Sequence, residues 1–162
     1  MFTIKQSPSL AAALLMGASI SMVACSEEAP VVEEEVGIAG LTIENARLVL
    51  APVEGNPAAL YFDFAYEGDR AFNVDRFAIE GAGSSVMHQY GEYDFKVQMM
   101  EALPIPVTGG TTLEFKPGDL HVMAMDVSPE LQPGVTTEVT MTISGGDTHS
   151  FTAEVRGAGE ER

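Results

Sequence analysis

The chain has 162 residues, with 8 Lys and Arg against 24 Asp and Glu, a formal net charge of −16 and one cysteine. That balance argues against nucleic-acid binding, which needs cationic side chains on phosphates, and against adhesion to anionic headgroups. It favours cations and basic protein partners, although a purely solubilising surface would read the same way. One cysteine leaves no disulfide framework, no thiolate metal cluster and no cysteine nucleophile inside a folded domain.

Residues 1–24 read as an export signal. Lys5 supplies a positive start, Leu10 to Met22 is an uncharged run, and Met22-Val23-Ala24-Cys25 resembles the bacterial lipobox. The run is short for a membrane span. Cys25 is therefore expected to carry a lipid, placing the protein in the bacterial periplasm or cell envelope and on the membrane through its anchor only. A plain cleaved signal peptide is the alternative, and it would leave a free thiol in an oxidising compartment. Residues 25–40 are acidic and poor in aromatics, the composition of a flexible tether. Fifteen or so such residues reach on the order of 20 Å. Roughly 120 residues remain, enough for one domain with a real core. That domain is expected over 41–157, with a short tail at 158–162.

The domain reads as all-β. Leu60, Phe62, Phe64 and Tyr66 alternate with Tyr61, Asp63 and Ala65. Val135, Thr137, Val139, Met141 and Ile143 form a second row, and Phe151, Ala153 and Val155 a third. Period-two rows of this kind give strands with one face on a common core. Turn signals separate them: Gly55-Asn56-Pro57, Glu67-Gly68-Asp69, Gly109-Gly110, Lys116-Pro117-Gly118-Asp119, Gln132-Pro133-Gly134 and Gly145-Gly146-Asp147. Many short strands with closely spaced turns predict a sandwich or barrel. No helical period and no internal repeat follow residue 40.

Methionines gather around two of the three histidines: Met87-His88, Met99-Met100, and His121-Val122-Met123-Ala124-Met125. On a strand His121, Met123 and Met125 share one face. Thioether sulfur is a soft, neutral donor that suits Cu(I) and does little for Zn(II), Mg(II) or Ca(II). A site of two imidazoles and two thioethers carries no ligand charge and favours the monovalent ion. The missing cysteine excludes a His-His-Cys electron-transfer site and points toward carriage. His149, after a glycine-rich turn, reads as a surface histidine. Met100, Met125 and Met141 read as core filler. Glu92 and Asp94 read as solvated acids in a turn-rich segment. No catalytic triad, phosphate-binding loop or zinc histidine pair is present, so the chain does not read as an enzyme.

The spacing His88-x10-Met99-x21-His121-x-Met123 resembles the signature of the PCuAC family of periplasmic copper chaperones. Ala59-Leu60-Tyr61-Phe62, Ile105-Pro106, the run Leu113 to Asp119 and Leu131-Gln132-Pro133-Gly134 fit the same pattern, over roughly residues 40–157. One departure is Gly118-Asp119-Leu120-His121, where the family often has Gly-Tyr-His. The resemblance implies a cupredoxin-like β-sandwich of mostly antiparallel strands; separately from it, the chain is expected to be a monomer. It implies Cu(I) held by His88, Met99, His121 and Met123, with Met100 as the alternative to Met99. It also implies delivery to a copper acceptor protein, the dinuclear copper centre of cytochrome c oxidase. A copper buffer or resistance protein with the same site but no dedicated acceptor is the alternative function, and a metal-free scaffold a more distant one.

Overall fold

The computed structural model describes residues 37–160; the signal-like segment, Cys25, most of the tether and the end of the tail lie outside the described residues. Ten strands follow in order: β1 Leu41–Val49, β2 Ala58–Tyr66, β3 Phe72–Ile79, β4 Ala82–Tyr93, β5 Lys96–Glu101, β6 Ile105–Val107, β7 Thr111–Phe115, β8 His121–Val127, β9 Thr136–Ile143 and β10 Thr148–Arg156. Hydrogen bonding links them in the path β5-β4-β8-β2-β1-β10-β9-β3-β6, with β7 also on β2. Every pairing is antiparallel except β1 with β10. Among the described residues no helix is long and apolar enough to cross a membrane. The expected all-β fold is the observed one.

The predicted alternation sets the core. Ala58, Leu60, Phe62, Phe64 and Tyr66 of β2 are buried, as are Val139, Met141 and Ile143 of β9 and Phe151, Ala153 and Val155 of β10. Strand sterics send alternate side chains to opposite faces, so each row packs inward while its partners stay wet. The sheet folds over itself, and the rows meet at Phe62. That ring stacks on Phe115 at 4.0 Å between centroids and lies 5.5 Å from Phe77 and 5.4 Å from Phe151. Val135 lies outside β9 and is exposed.

His149 departs from its surface reading. It sits on β10, two residues before Phe151 in the inward row, and is only 3% exposed. Its Nδ1 accepts a hydrogen bond from the Ile38 amide at 3.3 Å. The last residues before β1 thus lie against the domain: Gly40 also accepts from the Glu67 amide at 2.8 Å, and Ile38 packs on the core.

The sheet has two faces at β8. Val122 and Ala124 point inward with Met87, which stands opposite Val122. His121, Met123 and Met125 take the other face, beside Ala59 of β2 and Val86 and His88 of β4. Met141 is fully buried, but Met100 and Met125 are half-buried rather than core.

Candidate metal centre

The turn before β8 fixes where His121 begins. Pro117 presets the first central φ, and Gly118 takes φ +80°, the left-handed value that a type II turn needs at its second central position. The Asp119 amide closes the turn on the Lys116 carbonyl at 3.2 Å. Lys116 is paired with Glu114, whose hydrogen bond and negative charge push the ammonium pKa up. This ion pair is solvent-exposed and adds little to stability.

The same turn orients the imidazole. His121 Nδ1 lies 2.7 Å from the Asp119 carbonyl oxygen. A carbonyl can only accept, so Nδ1 carries the proton and Nε2 keeps its lone pair. That Nε2 is 3.1 Å from Met99 Sδ. Two lone-pair donors held this close gain from a cation that both can reach. The backbone carbonyl here plays the part that outer partners play for metal-binding histidines, fixing tautomer and ring direction.

Strand register brings the other residues to this face. His88 stands directly opposite His121, with ring centroids 5.9 Å apart and planes 29° from parallel. Met99 stands opposite Tyr90 across the β4–β5 hairpin, so it shares a face with His88, two residues away. Met100 pairs with Gln89 on the reverse face, where its terminal methyl lies over Gly91: a Cβ on Gly91 would come within 2.2 Å of it. Met123 follows His121 by one pleat, about 7 Å along the strand, a span a methionine side chain can bridge. The structure therefore gathers His88, Met99, His121 and Met123 on one face and sets Met100 apart.

Two observations fit a soft cation at this place. His88 Nδ1 is buried with no hydrogen-bond partner. An orphaned buried nitrogen costs about 1–3 kcal/mol unless something satisfies it. The second is the approach of Met99 Sδ to His121 Nε2 at 3.1 Å, which sets a soft sulfur beside the imidazole pair; among the described residues no group of three or more His, Cys, Asp or Glu side chains is placed to hold a metal.

Sequence reasoning missed the aromatic surround. Tyr90 and Tyr61 lie 6.0 Å and 6.4 Å from the His121 ring. Together with Met99 they belong to the outer face on which His121 is nonetheless buried. Arg47 sits 5.3 Å over the Tyr61 ring. A β-bulge at Asn45, φ +54°, shifts the β1 register ahead of Arg47. The available signal was period two: Tyr90 follows His88 by two, and Tyr61 is on the polar row of β2.

Comparison with known proteins meets this geometry. A family model described as "Putative lipoprotein LpqE-like" matches residues 41–155. No curated protein matches the sequence. Several solved structures share the fold, among them the following three. The copper-bound PCuAC domain from PmoF2 is 22% identical, with TM-score 0.60 over 76% of this chain and 97% of that one. The apo PmoF2 PCuAC domain is 21% identical, with TM-score 0.63 over 79% and 98%. The solution structure of CuI-DR1885 from Deinococcus radiodurans is 22% identical, with TM-score 0.58 over 78% and 84%. The match of the family model spans the whole strand array, from Leu41 of β1 to Val155 of β10, and the chain belongs to the LpqE-like family.

Proposed function

We propose that this protein binds one Cu(I) through His88, Met99, His121 and Met123 and carries it, without catalysis, to a thiolate-bearing acceptor protein in the bacterial cell envelope. The observation that carries the reading is the convergence of the His121 Nε2 lone pair on Met99 Sδ at 3.1 Å, beside the unsatisfied Nδ1 of His88. Four neutral donors favour Cu(I) over Cu(II) and work against redox cycling. Thioethers hold Cu(I) less tightly than thiolates, so the ion moves downhill to a cysteine-rich site. The PCuAC resemblance nominates the dinuclear copper centre of cytochrome c oxidase as that site.

The test is to mix the Cu(I)-loaded protein with the apo copper-binding domain of the oxidase subunit and follow metal in each after separation. Copper is expected to move to the acceptor, and more slowly at high salt, because attraction between an anionic donor and a basic acceptor face is screened. Copper that stays with the donor at equilibrium against several thiolate-bearing acceptors would make this protein a buffer instead.

Attachment through Cys25 belongs to the same proposal. The lipobox-like Met22-Val23-Ala24-Cys25 and the family's lipoprotein description support it. Mass spectrometry of the mature N-terminus is expected to find a diacylglyceryl cysteine at residue 25. An unmodified terminus at any other residue rules the anchor out.

A further inference from the structure

We propose that the β4–β5 hairpin is the docking face for the protein that takes the copper, and that this partner presents an apolar pocket ringed by basic side chains. The proposal rests on the copper-carrier reading above and adds to it the surface on which transfer occurs.

The hairpin tip is built against local preference. Tyr93 pairs with Lys96, leaving Asp94 and Phe95 as a two-residue loop. Both have positive φ, +50° and +58°, the pattern of a type I′ turn. Asp tolerates that region and glycine is the favoured second residue, because a Cβ there crowds the backbone. Here the second residue is phenylalanine, and it is 94% exposed. Its ring therefore compensates the disfavoured backbone with almost no packing among the described residues. An outlier of this kind, at the tip of the hairpin that carries Met99, points to a contact made with something else.

The exposed apolar residues continue toward the metal centre. Val97 is 74% exposed and Met99 45% exposed. They stand opposite Glu92 and Tyr90, so both are on the face that bears His88. Leu103, 81% exposed, lies just beyond the far end of β5. Large apolar side chains thus bracket Met99 along the chain, and β5 ends the sheet order, paired only with β4.

Charge selects the occupant. Residues 88–101 carry Glu92, Asp94 and Glu101 against one cation, Lys96. An acidic rim repels anionic headgroups, and on a chain of net charge −16 it repels a second copy. It matches a basic surface, which speeds encounter, while a buried aromatic anchor supplies affinity. The copper acceptor is the partner that must approach Met99 in any case.

The critical variant is Phe95→Gly in the full-length protein, since glycine suits the turn. It is expected to raise the urea midpoint slightly, leave Cu(I) affinity unchanged and leave copper loss to a small Cu(I) chelator unchanged. Transfer to the apo oxidase domain is expected to slow by about tenfold, the order expected for loss of one anchoring aromatic. Glu92→Gln with Asp94→Asn is expected to slow transfer about threefold at low salt and to converge with wild type at high salt. Equal transfer rates for wild type and Phe95→Gly would overturn the docking face while leaving the carrier function standing. A wild type that supplies the chelator but neither the oxidase domain nor any of several other thiolate-bearing acceptors would remove the carrier function, and the docking face with it. Phe95-dependent binding to anionic or zwitterionic vesicles, or Phe95-dependent self-association in sedimentation, without an effect on transfer, would reassign the hairpin to a membrane or to a second copy.

Discussion

Replacing Met99 with leucine is expected to lower Cu(I) affinity by at least about a hundredfold, because loss of merely an outer partner of a metal ligand already costs about 10–100-fold. Leucine keeps nearly the volume of methionine and removes only the sulfur, so packing changes little. Met99 is also part exposed on an edge strand, which further limits any structural cost. Met123→Leu is expected to behave similarly, on the strength of its shared face with His121. Met100→Leu is the control: its side chain belongs to the reverse face of the hairpin, over Gly91, and affinity should stay within about threefold of wild type. Competition against a chromophoric Cu(I) chelator under reductant reads all three. Full affinity in Met99→Leu would remove that sulfur from the site, and a loss confined to Met100→Leu would move the ligand across the sheet.

Phe62→Ala is expected to destabilise the domain by about 3–5 kcal/mol, the range for truncating a buried aromatic and leaving a cavity. Phe62 is fully buried and touches rings contributed by β3, β7 and β10, so the neighbours cannot all collapse into the space. Against a total stability of about 5–15 kcal/mol, this removes much of the margin. Urea denaturation should show a large fall in midpoint with little change in slope. Because the proposed Cu(I) site is on the outer face of the sheet, Cu(I) binding to whatever folded fraction remains should rescue the variant, by about 4 kcal/mol at a thousandfold excess of free ion over its dissociation constant. A variant as stable as wild type would mean that the aromatic cluster is not the centre of the core. A variant that copper fails to restabilise would mean that the outer face has changed along with the interior.

The sequence was most legible where one face is uniformly apolar. The rows of β2, β9 and β10 could be read because each inward position is hydrophobic and its neighbours are polar or small. His149 was misread because its chemistry was weighed ahead of its register, although period two from Phe151 reaches it directly. β4 and β5 were illegible for a different reason. β4 begins Ala82-Gly83-Ser84-Ser85, and β5 has almost every residue exposed, so neither presents the alternation that marks a half-buried strand. Glu92 consequently read as a solvated acid in a turn-rich segment; it is exposed, but it lies in β4, and only Asp94 is in the turn itself. The gathering of His88, Met99 and His121 depends on pairing between strands distant in sequence. Spacing can hint at such pairing through a family pattern, but only the β4–β8 and β4–β5 registers place Met99 on the same side as both imidazoles.

The parallel pairing of β1 with β10 bears on the order of synthesis. The last strand to be made is not at an edge but between β1 and β9. Until residues 148–156 emerge, the first strand and the ninth have no shared neighbour, and the inward positions of Phe151, Ala153 and Val155 are vacant. Closing this array means joining the two ends of the domain, a non-local step that folds slowly and leaves a growing chain without its finished core. The architecture defers closure until the C-terminal strand has arrived.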